Sequence, residues 1–263
     1  MPSTRDQRPY NVSYYARNRE AEIARVTERQ QATLAWLREL RKVPCVDCGG
    51  TFPPYVMDFD HRDPKAKSFS LTVGNAYLKN HSMLEAELAK CDVICGNCHR
   101  VRTAAQYASG VLEYGFKPNL SPDATPRQLG KRAEYLRRRR EQMEVLHRIR
   151  ELPCADCLKS FPTCAMEFDH REGTSKVGSL SRMAGHVKIA TLLEEIAKCD
   201  IVCTNCHRVR TYMRREAAVN ERGCGVVAAR DPSKVDTRVR FPPPAPDRLR
   251  LIGESRVPYR SSA

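Results

Sequence analysis

Two pairs of closely spaced cysteines occur twice in this chain, and they constrain its fold more than any other feature. Corresponding cysteines of the two sets lie 108 or 109 residues apart in a sequence of 263 residues. A near-constant period of this kind indicates tandem duplication. The first set is Cys45, Cys48, Cys95 and Cys98, and the second is Cys154, Cys157, Cys203 and Cys206.

The duplication allows the chain to be compared with itself. Segments 44–61 and 153–170 agree at ten of eighteen positions, and segments 88–103 and 196–211 agree at twelve of sixteen. Hydrophobic residues are exchanged between the copies, which packed cores tolerate. The paired cysteines, the Asp-His pairs and the later histidine are unchanged. Either both copies have kept their chemistry, or the duplication is recent.

The twelve cysteines of the chain could form disulfides or bind metal. Residues 1–19 are polar and charged rather than an apolar signal segment, and no apolar run reaches transmembrane length. In a reducing compartment, Cys-x-x-Cys pairs are typical of metal sites. Four thiolates in two such pairs form a closed, structural zinc site. We therefore predict two structural Zn²⁺ ions per chain and a cytoplasmic protein without membrane partners.

The charge of the chain favours a polyanionic partner. The formal net charge is +14, from 45 Lys and Arg against 31 Asp and Glu, and such an excess is typical of nucleic-acid binding, although a merely soluble basic protein is the alternative. A run of four arginines on a predicted helix is expected either to lie along a DNA backbone or to be a solvated face. These residues are Arg137, Arg138, Arg139 and Arg140.

Periodicity predicts an α+β chain of two modules, each preceded by a helix. The predicted boundaries are a disordered arm at 1–16, a first module at 17–107, a linker at 108–125, a second module at 126–218 and a disordered tail at 219–263. Each module should contain a strand ending in Asp-His, a short helix, a second strand and a final helix. The short helix of the first copy is expected at 83–90, with Ser82 and Glu85 as a capping box.

Each copy also carries residues suited to catalysis. In the first copy, Asp60 and His99 could bind a divalent ion, and His61 could act as a general base. Phosphodiester hydrolysis needs both groups, one to stabilise charge and one to activate water. The alternative is that these residues merely complete a zinc ribbon. Cys91 and Cys199 are expected to be small buried strand residues, with a role as alternative zinc ligands left open.

These motifs resemble the zinc-containing HNH endonucleases of phages and bacteria. The resemblance rests on two segments in each copy: Met57–Arg62 with Ala89–Arg100, and Phe168–Arg171 with Lys198–Arg208. It implies two tandem ββα-metal modules, HNH or treble-clef-like, that bind in the DNA minor groove. It also implies metal-dependent hydrolysis of DNA phosphodiester bonds in the cytoplasm of a bacterium or a phage-infected host.

The resemblance assigns a role to each matching residue. Asp60 and His99 would hold a catalytic divalent metal such as Mg²⁺ or Mn²⁺, and His61 would be the general base. Asp169, His207 and His170 would have these roles in the second copy. The arginines after each metal-binding histidine would contact phosphates; they are Arg100, Arg102, Arg208 and Arg210.

The chain departs from the family at one position. The family's middle asparagine lies nine residues before the metal-binding histidine, where this chain has Lys90 and Lys198. Asn97 and Asn205 are the nearest candidates for its catalytic role. The departure leaves open the alternative that the chain is a non-catalytic tandem zinc-finger protein that binds DNA. The basic charge argues against a third alternative, a pure scaffold protein. The sequence leaves the oligomeric state open and allows a monomer that acts as a pseudo-dimer.

Overall fold

A computed structural model describes the backbone of residues 7–109 and 125–221 and the side chains of 14–72, 75–109 and 125–217. Within these ranges the protein forms two compact units, one of residues 7–99 with 108–109 and one of 100–107 with 125–221. Each unit is built around one cysteine set. Most of the predicted linker, and the predicted tail beyond residue 221, lie outside the described residues.

The first copy begins with a long helix and then folds around a two-stranded sheet. Two short elements, a 3-10 turn at Pro64–Ala66 and helix α2 at Val73–Ala76, connect the first strand to the next longer helix. The longer elements are α1 Gln7–Leu40, β1 Met57–His61, α3 His81–Leu88, β2 Cys91–Cys95 and α4 Gly96–Ala108.

The second copy repeats this order. Its lead-in helix begins with a capping box formed by Thr125 and Gln128, and Pro126 lies in the first turn. A 3-10 turn at Thr163–Ala165 comes before its first strand. The other elements are α5 Pro126–Ile149, β3 Met166–His170, α6 Leu180–Met183, α7 Ile189–Ile196, β4 Cys199–Cys203 and α8 Thr204–Glu221.

The two sheets have the same antiparallel register. In the first, Met57 pairs with Cys95 and His61 with Cys91; in the second, Met166 pairs with Cys203 and His170 with Cys199. Because side chains alternate along a strand, residues 57, 59 and 61 share one face of β1, and Asp58 and Asp60 share the other. Each second strand ends in a cysteine of its cluster, Cys95 or Cys203, and this cysteine pairs with the first residue of the first strand.

Each unit has its own small apolar core between the lead-in helix and the sheet. Leu37 of α1 and Leu84 of α3 are buried in the first unit, as are the matching Leu146 and Leu192 in the second. In each unit, an arginine at the edge of the core stacks on the ring of the central phenylalanine of the first strand. Arg41 lies 4.5 Å from the Phe59 ring centroid, and Arg150 lies 5.1 Å from that of Phe168.

The structure confirms a mixed α+β chain with small two-stranded sheets, but two local predictions differ. Helix α1 begins at Gln7, so it includes residues assigned to the disordered arm. The expected capping box at Ser82 is wrong. Asn80 caps α3 instead, because its side chain accepts a hydrogen bond from the Met83 amide at 2.9 Å. In the described part of the chain, no helix is long and apolar enough to cross a membrane.

Candidate metal centres and carboxylate–histidine sites

The four predicted cysteines of the first copy come together in one cluster. Their sulfur atoms all lie within 4.8 Å of one another, and the Cys48 and Cys95 sulfurs are 4.0 Å apart. Thiolates around a tetrahedral zinc with Zn–S bonds of about 2.3 Å would lie about 3.8 Å apart. The Cys95 amide also donates a hydrogen bond to the Cys45 sulfur at 3.2 Å. The cluster therefore has the donors and spacing of a structural zinc site.

The second cluster repeats this arrangement with a different turn residue. Its sulfurs also lie within 4.8 Å of one another, and the Cys203 amide donates to the Cys154 sulfur at 3.2 Å. In each copy, the residue after the second cysteine donates its amide to the first cysteine's carbonyl oxygen. Gly49 makes this left-handed turn with φ 67°, and Leu158 makes it with φ 59°. The second copy thus imposes on a leucine the conformation that favours glycine.

The clustered thiols suit a bound cation. Burial and the hydrogen bond with Cys95 raise the pKa of the Cys98 thiol above its ordinary value. Hydrogen bonds with Cys154 and Cys203, together with burial, raise the pKa of Cys206. Four neighbouring thiols cannot all ionise without positive charge among them, and metal binding supplies that charge. Among the described residues, only these two clusters bring three or more His, Cys, Asp or Glu ligand atoms so close together.

A second kind of site lies on the opposite face of β1 from the apolar core. Asp58 and Asp60 share this face, and His99 of α4 reaches both. Its Nδ1 is 2.7 Å from Asp58 Oδ2, and its Nε2 is 3.5 Å from Asp60 Oδ1. A carboxylate behind a histidine fixes the tautomer and orients the other ring nitrogen toward a metal. The structure therefore brings together the predicted ligands Asp60 and His99.

A carboxylate and an imidazole suit a hard or borderline divalent ion. One carboxylate and one imidazole leave most coordination positions for water and for substrate oxygens. Mg²⁺ is commonly bound in this way, by one or two protein carboxylates with phosphate oxygens from the substrate. Asp60 and His99 could hold such an ion, and Asp58 would orient the imidazole.

The second copy contains the same pair with a longer carboxylate behind the histidine. Nδ1 of His207 contacts Glu167 Oε2, and its Nε2 lies 3.4 Å from Asp169 Oδ1. The hydrogen bonds to Asp169 and Glu167 raise the pKa of His207 to about 9. Without a metal, the two carboxylates thus favour the protonated, cationic form of this histidine.

The predicted base His61 is directed away from the metal-ligand pair. It lies on the other face of β1, where its Nε2 is 2.8 Å from Oε1 of Glu87 in α3. His170 meets Glu195 at the same distance. The structure therefore does not gather Asp60, His61 and His99 on one face, because strand alternation separates residue 60 from residue 61.

Glu87 sets the tautomer of His61. The carboxylate is buried and also accepts hydrogen bonds from the Ser68 amide at 2.7 Å and from Lys90 Nζ at 2.8 Å. Although burial alone would raise it, the hydrogen bonds from Lys90 and His61 hold the pKa of Glu87 well below its usual range. An ionised carboxylate only accepts, so His61 Nε2 must donate, and the lone pair of the neutral ring is at Nδ1.

Lys90, nine residues before His99, binds the buried glutamate that holds His61. Its ammonium bonds Glu87, the Ser68 hydroxyl and the Ala66 carbonyl. Lys198 holds Glu195 at 2.7 Å in the second copy. Each lysine therefore contacts the histidine of its copy only through the intervening glutamate.

Two arginines of α8 bind the second copy's aspartate. Arg214 donates from both terminal nitrogens to the two Asp169 oxygens, each at 2.8 Å. Arg210 donates to Asp169 at 3.0 Å and also binds Asp156 and Asp200. Although burial would raise it, these contacts and the one with His207 hold the pKa of Asp169 well below its usual value. Arg210, predicted to contact phosphate, is therefore already engaged by three carboxylates.

The remaining predicted residues occupy different environments. Asn97 and Asn205 are buried in the first turns of α4 and α8. Arg100 is exposed, whereas Arg102 and Arg208 are half-buried. Cys91 and Cys199 lie outside both clusters and each donates a weak hydrogen bond to the carbonyl oxygen of Glu87 or Glu195.

The arginine run on α5 divides into two groups. Arg137 and Arg138 bind neighbouring glutamates of the same helix, and Arg140 is exposed. Arg139 instead donates to the carbonyl oxygens of Ser181 and Ala184, both at 3.1 Å. Arg139 is therefore part of the packing between α5 and the end of α6.

Sequence reasoning missed the residues that support the predicted ones. Glu87 and Glu195 occupy equivalent positions in the two copies, each three residues before a lysine, Lys90 or Lys198. This repetition could have identified them from the sequence. Asp58 and Glu167 also match as acids two residues before the strand aspartates. Arg214 had no such signal, because the matching residue of the first copy is Gln106.

Comparisons with known proteins found no relative of this chain. No family model matches the chain, and no curated protein or solved structure matches it at a significant level. The class that the structure itself defines is an α+β chain with two four-cysteine clusters able to hold two metal ions.

Proposed function

We propose that this protein is a metal-dependent endonuclease of the HNH type, with two zinc-stapled ββα-metal modules that act on DNA. The observation that carries the proposal is the arrangement around β1. A histidine backed by Asp58 faces Asp60, and the adjacent His61 is held by a buried glutamate. Consecutive residues on opposite faces of β1 thus offer a place for a divalent ion and an oriented proton acceptor.

The residues divide the reaction among them. Asp60 and Nε2 of His99 would hold a divalent cation such as Mg²⁺ or Mn²⁺, which, when bound, stabilises negative charge on the phosphate and on the leaving oxygen. To act as the base, His61 would have to take the proton of the attacking water at Nδ1, the nitrogen that its hydrogen bond to Glu87 leaves unprotonated. The water oxygen forms a bond to phosphorus, the bond from phosphorus to the sugar oxygen breaks, and that oxygen takes a proton from solvent.

The basic charge of the chain supports DNA as the substrate. A +14 chain attracts phosphates strongly, and an exposed arginine such as Arg140 has room to contact a backbone, whereas Arg100 is ion-paired with Glu167. The zinc clusters would have a structural role, because four cysteines leave no open coordination position.

One observation favours the rival function for part of the chain. The Asp169 carboxylate already binds two guanidinium groups, an arrangement expected of a module that binds DNA without cutting it. The paired carboxylates and histidines of the first copy support catalysis there.

A plasmid cleavage assay tests the proposed function. Zinc-loaded protein should convert supercoiled plasmid only when Mg²⁺ or Mn²⁺ is added. The double variant His61→Ala with His170→Ala should lose about 10²–10⁴-fold in rate, which is the usual contribution of a general base. It should retain two zinc ions and its affinity for DNA. Cleavage at the wild-type rate by a pure double variant would overturn the nuclease assignment and leave the tandem zinc-finger DNA-binding protein.

A further inference from the structure

A lysine lies beside the buried glutamate of each copy. Lys90 and Lys198 each follow that glutamate by three residues. The segments that connect the strand histidine to the glutamate, 62–86 and 171–194, differ in sequence and by one residue in length. Because a different segment could have packed differently, contacts that both copies share across this difference indicate a common requirement.

In the first copy, the two carboxylate oxygens of Glu87 have different partners. Oε2 accepts a hydrogen bond from Lys90 Nζ at 2.8 Å. Oε1 accepts one from the Ser68 amide at 2.7 Å and faces His61 Nε2 at 2.8 Å. The Lys90 ammonium also donates to the Ser68 hydroxyl and to the Ala66 carbonyl oxygen. The lysine thus ties the glutamate to the loop that follows β1.

The second copy divides its carboxylate in the same way. Oε2 of Glu195 accepts from Lys198 Nζ at 2.7 Å, and the same ammonium donates to the Ser175 carbonyl oxygen at 3.1 Å. Oε1 accepts from the Val177 amide at 2.9 Å and meets His170 Nε2 at 2.8 Å. The lysine, the loop and the histidine therefore hold the glutamate together in both copies.

Burial makes the lysine contact hard to replace. The side chains of Glu87 and Glu195 are 2% and 1% exposed, so water has little access to an oxygen that the lysine leaves. A buried carboxylate oxygen without a donor is costly, and a buried charge without its partner is more so. While the lysine holds one oxygen, only the other is available to the histidine, and the carboxylate cannot turn.

We propose, on the basis of the proposed function, that Lys90 and Lys198 are positioning residues for the histidine base of each copy. Each lysine fixes one carboxylate oxygen and the adjoining loop, so that the other oxygen keeps the imidazole in one orientation through its Nε2. The lysine acts through the glutamate and does not touch the substrate.

The imidazole proton of His61 tests this in the full-length, zinc-loaded protein by ¹⁵N magnetic resonance, with His61→Ala to identify the signal. The wild type should show a protected Nε2 proton. In Lys90→Gln this proton should exchange about tenfold faster or more, because a charged hydrogen bond to the carboxylate is lost. Lys90→Arg, which keeps the charge and the donors, should restore most of the protection. Lys67→Gln, an exposed lysine of the same loop, is the matched control.

Plasmid cleavage gives a second test, measured in a His170→Ala background so that only the first copy is observed. Lys90→Gln should lower kcat and leave KM unchanged. Added to Glu87→Gln, the same change should have no further effect on cleavage or on the His61 proton, because the two residues act as one unit. This double variant leaves no buried charge unpaired, so it decides the matter if Lys90→Gln alone loses its zinc.

The outcomes separate this inference from the proposed function. Unchanged exchange of the His61 proton in folded Lys90→Gln, or a further loss when Lys90→Gln is added to Glu87→Gln, would overturn the inference. A rise in KM at unchanged kcat would mean that Lys90 contacts DNA, and would also overturn it. The expected changes in proton exchange, without plasmid cleavage by any of the proteins, would sustain the lysine's hold on the histidine and refute the nuclease.

Discussion

At the scale of single residues, Leu158 has a φ of 59°, whereas the matching Gly49 has a φ of 67°. Each residue donates its amide to the first cysteine of its cluster. A left-handed conformation costs a non-glycine residue about 1–2 kcal/mol. Leu158 is also 59% exposed, so it gains little from burial.

We expect Leu158→Gly to stabilise the second unit by up to about 1 kcal/mol, because relief of the left-handed strain exceeds the added entropy of a glycine in the unfolded chain. The reverse change, Gly49→Leu, should destabilise the first unit by about 1–2 kcal/mol. Denaturant midpoints of the zinc-loaded protein measure both effects. A lower midpoint for Leu158→Gly would show that leucine is not strained there.

Glu87 offers a second test at this scale, since Glu85 in the same helix is its natural control. Glu87 holds His61 and is 2% exposed, whereas the side chain of Glu85 is 61% exposed. Glu87→Gln should slow plasmid cleavage by about 10–100-fold, the usual effect of losing a supporting carboxylate. Glu85→Gln should cleave like the wild type. Equal rates for the two variants, both with full zinc content, would remove Glu87 from the mechanism.

At the scale of elements, the sequence was informative wherever a local period or spacing controls the outcome. The sequence predicted that the first strand of each copy ends in Asp-His, and the cysteine spacing predicted both clusters. Strand alternation implied that Asp60 and His61 point to opposite faces. Their partners could not be predicted, because Glu87 reaches His61 only through the packing of α3 against the sheet.

Helix ends were predicted less well than helix cores. Residues before Ala16 form no apolar stripe, so periodicity gave no reason to begin α1 at Gln7. At α3, Asn80 rather than Ser82 is the cap, because its carboxamide oxygen reaches the Met83 amide. Arg214 could not have been assigned to Asp169 from one sequence, since only the fold shows which carboxylate the arginine meets.

The zinc clusters should hold each unit together. Removing metal with a strong chelator should release about two zinc ions per chain, one for each closed four-cysteine site, and should unfold both units, because such small cores are marginal alone. Cys48→Ser should unfold the first unit and leave the second folded. Metal analysis and circular dichroism measure these changes. A folded, zinc-free protein would contradict the structural role of the clusters.

Thiol reactivity distinguishes the clusters from the other strand cysteines in the same experiment. Burial and the nearby Glu87 carboxylate raise the pKa of Cys91 to about 11, and burial with Glu195 does the same for Cys199. At neutral pH both stay protonated while the protein is folded, so they should react slowly. Chelation should expose the eight cluster thiols to a disulfide reagent together with these two.

At the scale of the whole molecule, the charge of +14 predicts DNA binding that weakens steeply with salt. Removing one arginine that binds a phosphate should reduce the slope of log affinity against log salt by about 0.9. Replacing Arg137 and Arg140 with glutamine tests the arginine run without touching Arg139, which packs against α6. A smaller slope is expected, with unchanged zinc content. An unchanged slope would show that the run is only a solvated helix face.

The two copies also predict how DNA is cut. If each copy cuts one strand at a time, the chain should convert supercoiled plasmid to nicked circles before any linear product forms. The Asp60→Asn variant removes the carboxylate that would bind the ion while leaving both cysteine clusters intact. Glu85→Gln removes one exposed charge from the same unit and is the matched control.

The conversion of supercoiled plasmid by wild-type, Asp60→Asn and Glu85→Gln protein, with and without Mg²⁺, therefore tests the central claim most directly. We expect Mg²⁺-dependent nicking by the wild type and by Glu85→Gln, and clearly slower nicking by Asp60→Asn. Nicking by Asp60→Asn at the wild-type rate, or wild-type nicking that persists after exhaustive removal of divalent ions, would contradict the account.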